Sequence, residues 1–97
     1  MKKEKFKVTE SSGNVFIDLG FSPEEATILA MRSQLMGELR IKIRDKKWTQ
    51  AQAAEVLGIS QSRTSELIRG KLEKFSLDML ITLATRAGKK VVLKLAA

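Results

Sequence analysis

Two short stretches hinged on a glycine constrain this chain more than any other feature. They are Thr49–Leu57 and Gln61–Arg69, on either side of Gly58. Thr49 followed three residues later by Gln52 is a reciprocal helix cap. The hydroxyl accepts from the Gln52 amide, and the Gln52 side chain reaches back. Gly58 then stops the helix, because only a residue without Cβ enters the left-handed region cheaply. Ser60 caps a second helix from Gln61 to about Arg69, and Gly70 ends it. The apolar positions Ala53, Ala54, Leu57, Ile59, Leu67 and Ile68 favour a fixed angle between the helices, with small Ala54 at their crossing.

What remains on the second helix is polar: Gln61, Ser62, Arg63, Ser65, Glu66 and Arg69. A two-turn helix held on a rigid partner, with such side chains outward, has the size and chemistry to enter a DNA major groove. The stretch resembles the helix-turn-helix of the lambda repressor/Cro (XRE) family. That family places Gln, Ala, Gly, a β-branched residue and an aliphatic at positions matched here by Gln50, Ala54, Gly58, Thr64 and Leu67. Thr64 departs from the usual Val or Ile; its hydroxyl needs a partner, such as the carbonyl one turn back. The flanks SSGNVFIDLGF, FSLDML and a terminal strand are similar to the small proteins of this type that include HigA-like antitoxins. The resemblance implies a mainly α, five-helix lambda-repressor-like DNA-binding domain with a short C-terminal β-strand. It also implies a dimeric repressor on a palindrome in its own operon, often partnered by a cognate toxin protein that degrades RNA.

Composition narrows the alternatives. With 97 residues the chain is one domain with a modest core. It contains neither Cys nor His, which removes disulfides, thiolate or imidazole metal sites and Cys or His catalysis. No apolar run reaches membrane-spanning length, and no secretory signal opens the chain. The expected location is a bacterial-type cytoplasm, on the nucleoid, and no cofactor is expected. The net charge of +7 is uneven: residues 1–39 carry −1 and residues 40–97 carry +8. An excess around the two-helix stretch suits a polyanion partner, whereas scattered lysines alone would mean only a solvated surface.

In chain order, residues 1–13 are a lysine-rich tail with a possible short strand at 5–9, followed by the domain proper, 14–88, whose helix-turn-helix is 50–70. Residues 14–21 form an apolar helical turn ended by Gly20. Ser22-Pro23-Glu24-Glu25 starts a helix that runs to about Lys46. Ile28, Leu35, Leu39 and Ile43 give its buried stripe, with Leu29 and Met36 alongside. Gly37 costs it roughly 1 kcal/mol relative to Ala and marks either close packing or a break. Arg40, Lys42, Arg44, Lys46 and Lys47 complement the helix dipole or touch phosphate. Trp48 is a core anchor. Lys71 to Lys74 form a charged loop. Ser76 caps a last helix whose Leu77, Leu80, Ile81 and Ala84 face the core, with Phe75 stapled onto Leu80.

Lys89 to Leu95 alternates as a strand, with Val91, Leu93 and Leu95 on one face. A lone strand leaves its backbone unpaired. Its partner is residues 5–9, the same strand of a second copy, or another protein. The symmetric solution makes residues 89–97 a dimerisation element, with Val91, Leu93 and Leu95 at the interface. Two recognition helices then read half-sites about one helical turn apart.

Roles follow from position. Gln50 holds a phosphate and braces Gln61. Ser60, Gln61 and Ser62 form the tip of the second helix, where Gln61 suits the N6/N7 edge of adenine. Arg63 takes guanine or phosphate. Glu66 accepts from cytosine N4 or pairs with an arginine. Ser65 and Lys71 are phosphate contacts. An enzyme is not expected, since no metal, cofactor or triad pattern is present. The rival reading is a protein-interaction module that neutralises a toxin through the terminal strand or residues 14–21.

Overall fold

The computed structural model describes residues 14–96. Five α-helices are present: α1 Val15–Asp18, α2 Pro23–Lys46, α3 Gln50–Leu57, α4 Gln61–Ile68 and α5 Leu77–Arg86, with a 3-10 turn at Leu72–Lys74 before α5. The chain divides into two compact units, one up to Met31 and one from Arg32 onward. No helix among the described residues is long and apolar enough to cross a membrane.

In the first unit, the Asn14 side chain caps α1 by accepting from the Phe16 amide at 2.9 Å, and donates to the Ala26 carbonyl at 3.0 Å. Phe16 and Phe21 meet edge-on, ring centroids 6.2 Å apart. Ser22 and Glu25 cap the start of α2 reciprocally. Ala26 is fully buried, but α1 buries none of its residues. Ile28, expected in the core stripe, is exposed, and small Ala26 takes the buried place two residues earlier.

The second unit holds the main core. Met36, Leu39 and Ile43 of α2 pack with Ala53, Leu57, Leu67, Phe75, Leu80, Leu83 and Ala84. α3 packs against α4 and α5. Helix α2 runs unbroken through Gly37, and nothing among the described residues lies within 4 Å of where a Cβ there would stand. Neither close packing nor a break therefore explains that glycine. The helix ends at Lys47, whose φ of +56° is left-handed. The amides of Lys47 and Trp48 return to the carbonyls of Arg44 and Ile43, so the last turn is closed by the paired bonds of a Schellman motif. In α5 the buried positions are Leu80, Leu83 and Ala84, followed by Ala87 at its C-terminal cap; Leu83 is buried in the place expected for Ile81, and Ile81 is exposed. The apolar stripe is displaced because Leu83, three residues after Leu80, shares its face and Ile81 does not.

The C-terminal strand is a correction. Residues 89–96 form no strand. After the Lys89 amide closes α5 on the Ala84 carbonyl at 2.9 Å, residues 90–96 make no hydrogen bond among the described residues. Alternation supplies a strand's faces but not its ladder, and no partner segment lies alongside among the described residues. The possible strand at 5–9 falls outside the described residues.

Candidate nucleic-acid interface

The two-helix stretch forms as its spacing predicts. Thr49 caps α3 with both bonds of the capping box, Thr49 Oγ1 accepting from the Gln52 amide at 3.1 Å and Gln52 Oε1 from the Thr49 amide at 2.8 Å. Gly58 turns out of α3 at φ +71°. Ser60 Oγ accepts from the Arg63 amide at 3.1 Å, so Ser60 caps α4. Thr64 is fully buried, and its hydroxyl donates to the Ser60 carbonyl at 2.9 Å. The departure from Val or Ile is thus satisfied by the carbonyl one turn back.

The start of α4 is braced from α3. Gln50 Nε2 donates to the backbone carbonyl of Gln61 at 3.0 Å. The brace that sequence position suggests is present, made to the main chain of Gln61. Gln61 and Ser62 stand exposed beyond it, and neither side chain has a hydrogen-bond partner among the described residues. Ser65 and Lys71 are half-buried, and Arg69 is exposed at the end of α4. Ser62, Ser65 and Arg69, spaced by three and four, share one face of the helix.

Arg63 and Glu66 are engaged internally. The Arg63 guanidinium stacks over the Phe75 ring, 4.6 Å from its centroid. It donates to the Lys74 carbonyl at 3.0 Å and lies 3.4 Å from Glu66 Oε1. Of the two readings of Glu66, the structure contains the ion pair. Two further arginines escaped sequence reasoning. Arg32 donates to the carbonyls of Leu72 and Phe75 at 2.7 and 2.8 Å, holding the 3-10 turn. Arg86 Nη1 donates to the Leu57 carbonyl at 2.8 Å and satisfies the end of α3. A Cβ on Gly58 would come within 3.0 Å of the same nitrogen. Neither arginine carries a local signal, since each binds main chain 29 to 43 residues away. Arg69 could have been found by its spacing from Ser62.

A braced two-turn helix with a free polar tip is the arrangement of a groove-reading unit. The family model described as a helix-turn-helix domain matches residues 15–96. The chain belongs to the helix-turn-helix domain family. Its match takes in all five helices and the C-terminal segment, so the family assignment rests on the whole described architecture and not on the α3–α4 pair alone. As a helix-turn-helix protein it is a DNA-binding regulator. No curated protein matches the chain.

Proposed function

We propose that this helix-turn-helix protein is a sequence-specific regulator of double-stranded DNA, with α4 as the helix that enters the major groove. One observation carries the reading. At the tip of α4 the side chains of Gln61 and Ser62 are free among the described residues, while the backbone beneath them is fixed by Gln50 and Ser60. Preorganised main chain with uncommitted donors and acceptors is what base readout needs. Gln61 pairs with adenine and Ser62 with a neighbouring base edge. Ser65, Lys71 and Arg69 take phosphates. Arg63 and Glu66 act by holding α4 in place. The charge of +8 over residues 40–97 supplies the sequence-independent part of the affinity.

The finer reading rests on the resemblance to the lambda repressor/Cro family and its HigA-like antitoxins. Two copies, joined through Val91, Leu93 and Leu95, bind a palindromic operator in a bacterial-type cytoplasm, repress their own operon and neutralise a cognate toxin without catalysing a reaction. A toxin-like reading frame beside the gene, and co-purification of its product, separate the antitoxin from a stand-alone or phage-type regulator.

The decisive experiment selects bound DNA from a random pool and then compares variants on the selected site. Gln61→Ala should lose about 1–3 kcal/mol of discrimination between that site and random DNA. Lys71→Ala should weaken both equally. If Gln61→Ala and Lys71→Ala behave alike on both DNAs, α4 is not the reading helix.

A further inference from the structure

The second unit carries an open groove of about 710 Å³. Its buried and half-buried lining is Gly37, Ile43, Trp48 and Ile68, and its exposed lining is Arg40, Ile41, Arg44 and Lys47. Among the described residues no acidic side chain lines it. Arg44 lies 3.2 Å from Asp45, but both are largely exposed, and such a pair holds its partners weakly. Gly37 lines the same groove. A glycine inside a helix costs roughly 1 kcal/mol, and no neighbour among the described residues accounts for it. A position without a side chain lets another backbone approach closely. The groove therefore has an apolar floor, three cations and room for a polypeptide.

The first unit carries the complementary surface. Val15 is 60% exposed and Leu19 69% exposed, with Phe21 exposed beside them. Asp18, Glu24 and Glu25 punctuate this stretch, and residues 14–31 contain no Lys or Arg. An apolar segment with three acids faces solvent on a chain whose groove offers apolar floor and three cations. The chain's C-terminal segment is apolar too, but it carries Lys89, Lys90 and Lys94 and is repelled by the same rim.

We propose that the groove of one chain seats the Val15–Glu25 segment of a second copy. Val15, Leu19 and Phe21 cover Ile41, Trp48 and Ile68, and Asp18, Glu24 and Glu25 meet Arg40, Arg44 and Lys47. Neither Gln61 nor Ser62 lines the groove, so occupancy leaves the tip of α4 free. The contact uses neither the base-reading tip of α4 nor any pairing by residues 89–96.

Trp48 is the only tryptophan, so its emission reports on the groove. The probe is a synthetic peptide of residues 14–25, which has no tryptophan or tyrosine, titrated into the full-length protein without DNA. The expected result is a saturable change in Trp48 emission, with affinity falling at least about tenfold between low and high salt. The peptide with Asp18→Lys and Glu24→Lys should bind about tenfold more weakly to the parent protein, and more tightly than the parent peptide to the Arg40→Glu, Arg44→Glu protein. A second measurement uses full-length chains that all carry Val91→Asp and Leu93→Asp. The Asp18→Lys, Glu24→Lys chain and the Arg40→Glu, Arg44→Glu chain should each sediment as monomers and associate when mixed. No saturable emission change, equal binding of a scrambled peptide, or charge reversal without reversed preference would overturn the proposal. So would association of each variant alone as tightly as the mixture.

Discussion

The helix-turn-helix at residues 49–70 and the segment at 89–96 are both regular in sequence, yet only the first is regular in structure. In the first, the helix starts and the turn out of α3 are set by residues a few positions away, and the remaining carbonyl of α3 is met from α5. Thr49 and Ser60 cap the starts, Gly58 turns the chain out of α3, and Arg86 takes the Leu57 carbonyl. Its apolar side chains Ala53, Leu57 and Leu67 are buried. In the second, alternation is equally clean, but Leu93 and Leu95 are 78% and 87% exposed and the backbone from residue 90 is unpaired among the described residues. A helix satisfies its main chain within its own sequence, whereas a strand borrows its bonds from another. Periodicity therefore specifies an element fully only where the chain itself holds the partners.

The sharpest way to break this comparison is to remove equivalent apolar mass from each region. Leu67 is fully buried between α4 and the core. Leu67→Ala should cost about 2–5 kcal/mol in urea unfolding. Val91→Asp with Leu93→Asp should change the stability of the isolated chain by less than about 0.5 kcal/mol, as exposed substitutions do. By sedimentation the double variant should self-associate at least about tenfold more weakly than the parent, a loss of about 1.4 kcal/mol. Unchanged association would show that the C-terminal segment joins no second copy.

Much of the fold was legible because its signals are local. Thr49 with Gln52, Ser60, Ser76 and the glycines at 20, 58, 70 and 88 mark helix ends within four residues of the groups they serve. Core membership was legible where one stripe dominates, as at Leu39 and Ile43, and misread at Ile28 and Ile81. At both places two apolar residues compete and tertiary packing chooses. In the candidate interface, the bracing of Gln61 by Gln50 and the satisfied Thr64 hydroxyl followed from position in the motif. The internal engagement of Arg63 did not, because its partners Lys74 and Phe75 lie eleven and twelve residues on, across a 3-10 turn that sequence showed only as a charged loop. Arg32 and Arg86 were invisible for the same reason, at greater separation.

Arginines on one helix sharpen the contrast between committed and free groups. Arg63→Ala loses the stack on Phe75 and the bond to the Lys74 carbonyl. With the side chain about one-third exposed, the cost should be about 1–2 kcal/mol of stability. Arg69→Ala, six residues on and exposed, should cost less than about 0.5 kcal/mol. On DNA the order should reverse: Arg69→Ala should weaken binding more than Arg63→Ala and lower its salt dependence, because Arg69 is the exposed one of the two and has no partner among the described residues to hold it back from phosphate. Equal stability losses would mean that the Phe75 stack contributes nothing.

Thr64 is the next smaller step. Its hydroxyl donates to the Ser60 carbonyl, which also accepts from the Thr64 amide at 3.0 Å. Thr64→Val removes the donor but leaves that carbonyl paired. The stability change should stay under about 1 kcal/mol in either direction, since no buried group is orphaned. A loss well above that in urea unfolding would show that the hydroxyl itself holds the turn between α3 and α4.

The smallest effect separates the capped helices from the C-terminal segment by pH. Ser76 caps α5 by accepting from the Met79 amide at 3.2 Å. Its hydroxyl, followed by the backbone amides of Asp78 and Met79, holds the Asp78 carboxyl below its ordinary value of 3.8. A carboxyl depressed in the folded state stabilises fully above its unfolded value, and that contribution is lost as pH falls through the folded one. Acid unfolding should therefore lose a small increment below about pH 4 that Asp78→Asn abolishes, with the two proteins converging at lower pH. Residues 89–96 carry only lysines as ionisable side chains, so Lys90→Gln should leave the acid limb unchanged. If Asp78→Asn leaves the limb unchanged as well, the cap of α5 is made by Ser76 alone and the carboxylate is a spectator.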